Sequence, residues 1–201
     1  MNTSDLWFYC SDIPAASEHV ILDERESRHA GGARRLRAGD KLYLFDGKGI
    51  LAETGFLEKS KNEICLEVLN REQHDRSDKT AHLACPIPKG DRVSVLLDMA
   101  TQVGMTDFTP LICEFGLNKR INDSAQQRWQ RVVIESCKQA RRLFLPRIHE
   151  AQKLDALLQG AVENNHKVWL ADAAGKSIVE CQSKLGEINA SSLVLVGPEG
   201  G

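Results

Sequence analysis

The spacing of apolar residues changes character about a third of the way along this chain. Before that point it is short and alternating. Leu6-Trp-Phe-Tyr-Cys10, Lys41-Leu-Tyr-Leu-Phe45 and the stretches 50–57 and 63–69 each predict a strand with one face turned inward. Asp46-Gly-Lys-Gly49 is a turn signal between two of them. Residues 23–37 are charged and predict a helix that Gly31-Gly32 interrupts, and 71–79 contain no apolar residue and read as a linker.

Beyond the linker, strand-like and helix-like stretches alternate. Residues 82–87, 108–113, 167–171 and 193–196 predict strands, and 92–103 predicts a helix ending before Gly104. Asn122-Asp-Ser124 can cap a long helix running to about Arg142, and 177–184 is a short helix or loop. Such alternation implies a largely parallel α/β sheet. The expected division is a β domain over 1–72, a linker over 73–80 and an α/β domain over 81–201. On the long helix Trp129, Val132, Val133 and Cys137 make one apolar face, while Arg128, Arg131, Lys138 and Arg142 fall on another with Glu135 among them.

Composition changes this picture only at the margins. With 42% hydrophobic and 27% charged residues the chain reads as an ordinary globular protein. No stretch approaches the roughly 20 apolar residues of a membrane helix, and the start lacks the pattern of a secretory signal, so a cytoplasmic protein without a membrane partner is expected. A net charge of −2 gives no overall attraction to a polyanion. Any basic surface must be local, and there are two candidates. One is Arg28, Arg34, Arg35, Arg37 and Lys41; the other is the helix stripe with Arg141 and Arg147 added. Arginines in such clusters can clamp phosphates bidentately. The six cysteines are scattered, without C-x-x-C pairs or histidines at ligand spacing, so no metal is expected and buried free thiols are.

The chemistry concentrates at Leu193-Val-Leu-Val-Gly-Pro-Glu-Gly-Gly201, a buried strand running into a glycine turn. Glycines permit positive φ and close approach of a ligand to the main chain. Glu199 disfavours a triphosphate, which seeks bare N–H groups and positive potential, and suits a ligand with hydroxyls, an amine or a sulfonium. A plain strand-to-loop turn is the alternative. Ala174-Gly-Lys-Ser177 imitates the end of a P-loop, but Leu170 stands where that motif needs glycine. Asp172 either faces a ligand or starts the turn at Ala173-Ala-Gly175.

Set together, these residues resemble the RsmE family of ribosomal RNA methyltransferases, in the SPOUT superfamily. The resemblance rests on His29, Arg35, Gly39 and Leu44-Phe-Asp-Gly47 in the first part. In the second it rests on Gly90, Gly104, Thr109-Pro-Leu111, Trp129-Gln130, Gln139, Arg142, Pro146 and Leu195-Val-Gly-Pro-Glu-Gly-Gly201. It implies a small PUA-like β-barrel domain followed by an α/β SPOUT domain of trefoil-knot type, and it implies a homodimer. It implies transfer of methyl from S-adenosylmethionine to N3 of a uridine in small-subunit (16S) rRNA. The cofactor residues it implies are Leu170, Ala171, Val196, Gly197, Pro198, Glu199, Gly200 and Gly201. Those facing RNA are Arg28, His29, Arg34, Arg35, Arg37, Lys138, Arg141 and Arg142. No residue is singled out to accept the N3 proton. The chain departs from the family pattern at Asp98-Met99, Gln102-Val103 and Cys113-Glu-Phe-Gly116. The family also continues past the glycine loop, so an incomplete knot and half a cofactor pocket are expected of this chain. A non-catalytic RNA-binding protein derived from the family is the second reading.

Overall fold

The computed structural model describes residues 6–33, 36–37, 39–60, 63–113, 121–177, 179–181 and 191–198, with the side chains of 29–33 left aside. Contacts divide it into two units: Met1–Arg76 with Cys137–Leu145, and Ser77–Ser136 with Pro146–Gly201. The segment 137–145, which a linear division assigns to the second domain, therefore groups with the first.

The first unit is a five-stranded sheet in the order β1-β3-β4-β5-β2, from β1 (Trp7–Tyr9), β2 (His19–Ile21), β3 (Lys41–Phe45), β4 (Ile50–Lys59) and β5 (Ile64–Gln73). All pairings are antiparallel except β1 with β3. Phe8, Leu42, Leu44, Ala52, Ile64, Leu66 and Val68 alternate inward and form its core. Residues 71–73, expected in the linker, belong to β5 and pair with Ile50–Ala52. Strand pairing is a backbone property, so an exposed polar tail can extend it. Helix α1 (Glu24–Ala33) runs through Gly31 and Gly32 instead of breaking there. Each glycine disfavours helix by about 1 kcal/mol. Asp23 offsets part of that as N-cap, its carboxylate accepting the Glu26 N–H at 2.8 Å.

The Leu44-Phe-Asp-Gly47 motif proves to be architectural. The Asp46 carboxylate accepts the N–H groups of Lys48 and Ile50 at 2.7 and 2.9 Å, which builds the turn. Gly47 has φ +74, and a Cβ there would stand 2.5 Å from Leu145, whose N–H donates to the Gly47 carbonyl. Only glycine meets both conditions.

The second unit is a parallel sheet in the order β10-β11-β6-β7-β8, with β9 also paired to β7. Its strands are β6 (Ala81–Cys85), β7 (Asp107–Ile112), β8 (Arg147–Ile148), β9 (Gln152–Lys153), β10 (Lys167–Ala171) and β11 (Ser192–Val196). Helices α2 (Arg92–Gln102) and α3 (Asp123–Ala140) supply Val93, Leu97, Trp129 and Val133 to a core with Cys85 and Phe108. Helix α4 (Leu154–Glu163) supplies Leu157 and Ala161 to another with Ala84, Leu111, Leu193 and Leu195. Adjacent strand residues thus feed opposite cores, as the two-residue period requires. Asn122 caps α3 through the Ala125 N–H at 2.8 Å. At its far end Arg141 adopts φ +53 while the Arg142 N–H donates to the Cys137 carbonyl, a Schellman closure.

All six cysteines are free. Cys85 and Cys137 are buried and the other four half-buried, fewer than expected. Burial pushes the thiols of Cys85 and Cys137 up to about 11, so neither is a nucleophile at neutral pH.

Candidate functional site

The strand order of the second unit reverses between β6 and β11. From β6 the chain proceeds outward through β7 to β8; it then reaches β10 on the other side and returns to β11. In an open parallel sheet the loops leaving the carboxyl ends on either side of such a reversal diverge, and the crevice between them is where ligands bind. The residues at that place are Pro86–Asp91, leaving β6, and Gly197 and Pro198, leaving β11.

Register decides which expected residues meet. Leu170 pairs with Leu195 and Ala171 with Val196, so two segments 25 residues apart in sequence end side by side. Leu170 is 67% exposed and Val196 38%, both large for aliphatic side chains at the end of a buried sheet. Gly197 does not adopt positive φ, contrary to the expectation for this turn. Its value is space: among the described residues nothing lies within 4 Å of where a Cβ would stand. Glu199, Gly200 and Gly201 lie outside the described residues. Asp172 starts the turn after β10, its carboxylate accepting the Ala174 N–H at 2.8 Å.

The described residues expected to face RNA differ in exposure. Arg28 is exposed and paired with Glu24 at 3.3 Å along α1, and Arg37 is exposed. Arg34 and Arg35 lie outside the described residues, as does the His29 side chain. Lys138 corrects the helix-wheel expectation. Within the first unit its side chain is 6% exposed, with the ammonium bonded to both Glu26 oxygens at 2.9 and 3.0 Å and set over the Phe8 ring at 5.6 Å. It is a buried structural cation and is not available to RNA. Arg142 is half-buried, and that burial presses its guanidinium below the usual value. Arg141 is exposed.

Two features stand outside the expected site residues. One is the loop Pro86-Ile-Pro-Lys-Gly-Asp91, whose importance comes from following β6 at the reversal; the strand expected over 82–87 ends at Cys85. The other is a polar cluster on the amino-end half of the same sheet. His82 Nε2 lies 2.8 Å from Thr109 Oγ1, His149 Nε2 lies 2.7 Å from Asp107 Oδ1, and the two imidazole centroids are 5.4 Å apart. Burial, then the neighbouring His149 and His166, hold His82 below the usual histidine range against the pull of Asp107. Burial alone would raise the Asp107 carboxyl, but hydrogen bonds with His149 and Thr106 and the charges of His149 and His82 bring it below its ordinary value.

Residues 75–201 match the family described as RNA methyltransferase domain, and residues 22–69 match the RNA methyltransferase PUA domain. A ribosomal RNA small subunit methyltransferase E of Rickettsia conorii is 30% identical over 196 residues, covering 95% of this chain and 74% of that protein. Its namesake in Mycobacterium bovis is 26% identical over 205 residues, covering 96% and 76%. Among solved structures, the ribosomal RNA small subunit methyltransferase E of Neisseria gonorrhoeae, bound to S-adenosyl methionine, superposes with a TM-score of 0.79. It is 24% identical, and the match covers 98% of this chain and 80% of that one. A methyltransferase of Legionella pneumophila in complex with the same cofactor gives 0.78 at 23% identity, covering 98% and 81%.

Proposed function

The chain belongs to the RsmE family of RNA methyltransferases, and we propose that it transfers the methyl group of S-adenosylmethionine to N3 of a uridine in small-subunit rRNA. The observation that carries this reading is the pairing of Ala171 with Val196 beside the sheet reversal. That pairing puts both expected cofactor segments at one strand end.

The residues present fit the cofactor. Open space over Gly197 admits a ligand against the main chain, and the exposed Leu170 and Val196 offer aliphatic surface to an adenine or a methionine stem. When bound, the cofactor supplies an electrophilic methyl group on a sulfonium. The protein's own task is alignment, since N3 lies on the pairing edge of uracil and the base must be unpaired before it can be reached. Holding the reacting atoms in line can supply about 7–11 kcal/mol of the barrier. N3 must also lose its proton, either to a protein group or to solvent.

The reading includes a cytoplasmic homodimer. Val95, Met99 and Val103 stand at i, i+4 and i+8 along α2 and are 57, 63 and 87% exposed, an apolar stripe that a second copy would cover. Purified small subunits from cells lacking the gene provide the test. Incubation with the protein and labelled cofactor should yield N3-methyluridine by nucleoside mass spectrometry. Label at another base, or none, would sink the proposal.

A further inference from the structure

Four exposed cations of the second unit stand around the carboxyl end of its sheet, while others, such as Lys79 and Arg147, stand at the amino end. α2 starts directly after the loop leaving the carboxyl end of β6, so Lys89 and Arg92 stand at that end, both exposed. Arg128 Nη1 lies 3.4 Å from Asp91 Oδ1, which ties the first half of α3 to the same loop. Arg131, one turn further, is exposed on the flank of α3 that turns away from buried Trp129 and Val133. Helix geometry places the Cβ atoms of Arg128 and Arg131 roughly 5–6 Å apart. Gln126, Gln127 and Gln130 are exposed among them and add hydrogen-bond donors.

Asp91 is 91% exposed in its side chain and faces Arg128, and Asp123 is exposed in the first turn of α3. Asp98 is engaged by Ser136 at 2.5 Å and Gln102 at 2.9 Å. Among the described residues these four cations line the loop after β6 and the first half of α3, with exposed Asp91 and Asp123 beside them and half-buried Glu135 one turn beyond Arg131.

We propose that Lys89, Arg92, Arg128 and Arg131 form a phosphate-holding face for single-stranded RNA at the carboxyl end of the parallel sheet, positioning the substrate strand against Val196–Pro198. The inference rests on the reading of the chain as an rRNA methyltransferase and names where the second unit grips that substrate. Guanidinium and ammonium groups around a sheet end that also receives a methyl donor suit a backbone whose bases must be presented singly. These four are positioning residues, distinct from whatever group removes the proton.

The test compares the full chain with the double variant Lys89→Gln/Arg131→Gln. Binding to deproteinised small-subunit rRNA is followed across a salt titration, beside cofactor affinity by calorimetry and the thermal midpoint. Loss of two phosphate contacts lowers the slope of log affinity against log salt by about 1.4 on a single strand. It raises KM for RNA at least tenfold while kcat, cofactor affinity and thermal midpoint hold. Arg131→Lys should restore most of its share. An unchanged slope and KM would overturn the inference alone. So would a parallel fall in cofactor affinity or melting temperature, because that would reveal a structural role. Failure of the unmodified protein to bind the rRNA would instead remove the functional reading beneath it.

Discussion

The two ends of α3 carry the same kind of side chain and meet opposite fates. Near its start Arg128 stands half-exposed, 3.4 Å from an almost fully exposed Asp91. Near its end Lys138 is buried on Glu26 and Phe8. A helical wheel puts both on the side away from Trp129, and by that criterion both should be solvated. Angle around an axis states where a side chain points; what occupies that direction is a property of the packing. The starting end is a surface charge open to a ligand. The finishing end is an internal cation held in place by a carboxylate.

The sharpest way to break this contrast is to remove one partner of the buried pair. Glu26→Ala or Lys138→Ala should lower unfolding free energy by about 3–5 kcal/mol in denaturant titration, because the remaining charge stays buried without its partner. The double change Glu26→Leu/Lys138→Met should recover most of that and leave RNA affinity intact. Lost RNA affinity in a folded double variant would return Lys138 to the RNA-facing set.

At the strand-end site the expected effect is on binding instead. Gly197→Leu places a side chain in open space without a backbone penalty, since φ there is not positive. Cofactor affinity by calorimetry should fall ten- to a hundredfold while the melting temperature hardly moves. Unaltered affinity would mean the cofactor does not sit over Gly197.

A third measurement probes the histidine cluster, which belongs neither to the buried pair nor to the strand-end site. His82 in the folded protein holds its proton less tightly than in the unfolded chain. Neutral His82 therefore contributes stability that is complete above about pH 6.5 and lost as pH falls through its lowered folded value. Asp107 is shifted down as well, so its contribution is present above about pH 4 and persists until more acid conditions. Thermal midpoints recorded from pH 7.5 to 5 should decline for the wild type and run flatter for His82→Gln. Identical curves would exclude His82 as the cause.

Two smaller effects sharpen the comparison of the helix ends. Arg141→Gly relieves a left-handed residue and should stabilise the first unit by about 1 kcal/mol, with any loss of RNA affinity reporting the side chain alone. Arg128→Ala removes a largely solvated pair and should change stability by about 0.5 kcal/mol or less. A larger loss in chemical unfolding would show that the Asp91 contact organises the loop after β6.

Much of the architecture could be read from spacing. The alternation at Lys41–Phe45, the apolar spacing of α2 and the Asn122 cap of α3 mark elements whose local signals agree with the fold. α4 is harder to read although Leu154, Leu157, Leu158 and Ala161 recur at helical intervals, a period obscured by the polar stretch on either side. The glycine pair in α1 misled for the opposite reason. Local propensity there opposes helix, and capping by Asp23 with the burial of Glu26 and Ser27 outweighs it.

The site divides along the same line. A strand running into Gly197-Pro198 announces a turn by composition, because a buried apolar run must end where glycine and proline stop it. The sequence determined the parallel alternation of strands and helices, and the family. Only tertiary structure decided that Ala171 pairs with Val196, that Lys89 and Arg128 share the sheet end, and that Lys138 does not. Register and burial arise from contacts between segments far apart in the chain. No local pattern encodes which distant carboxylate will meet a lysine, or which loop will open beside a given strand.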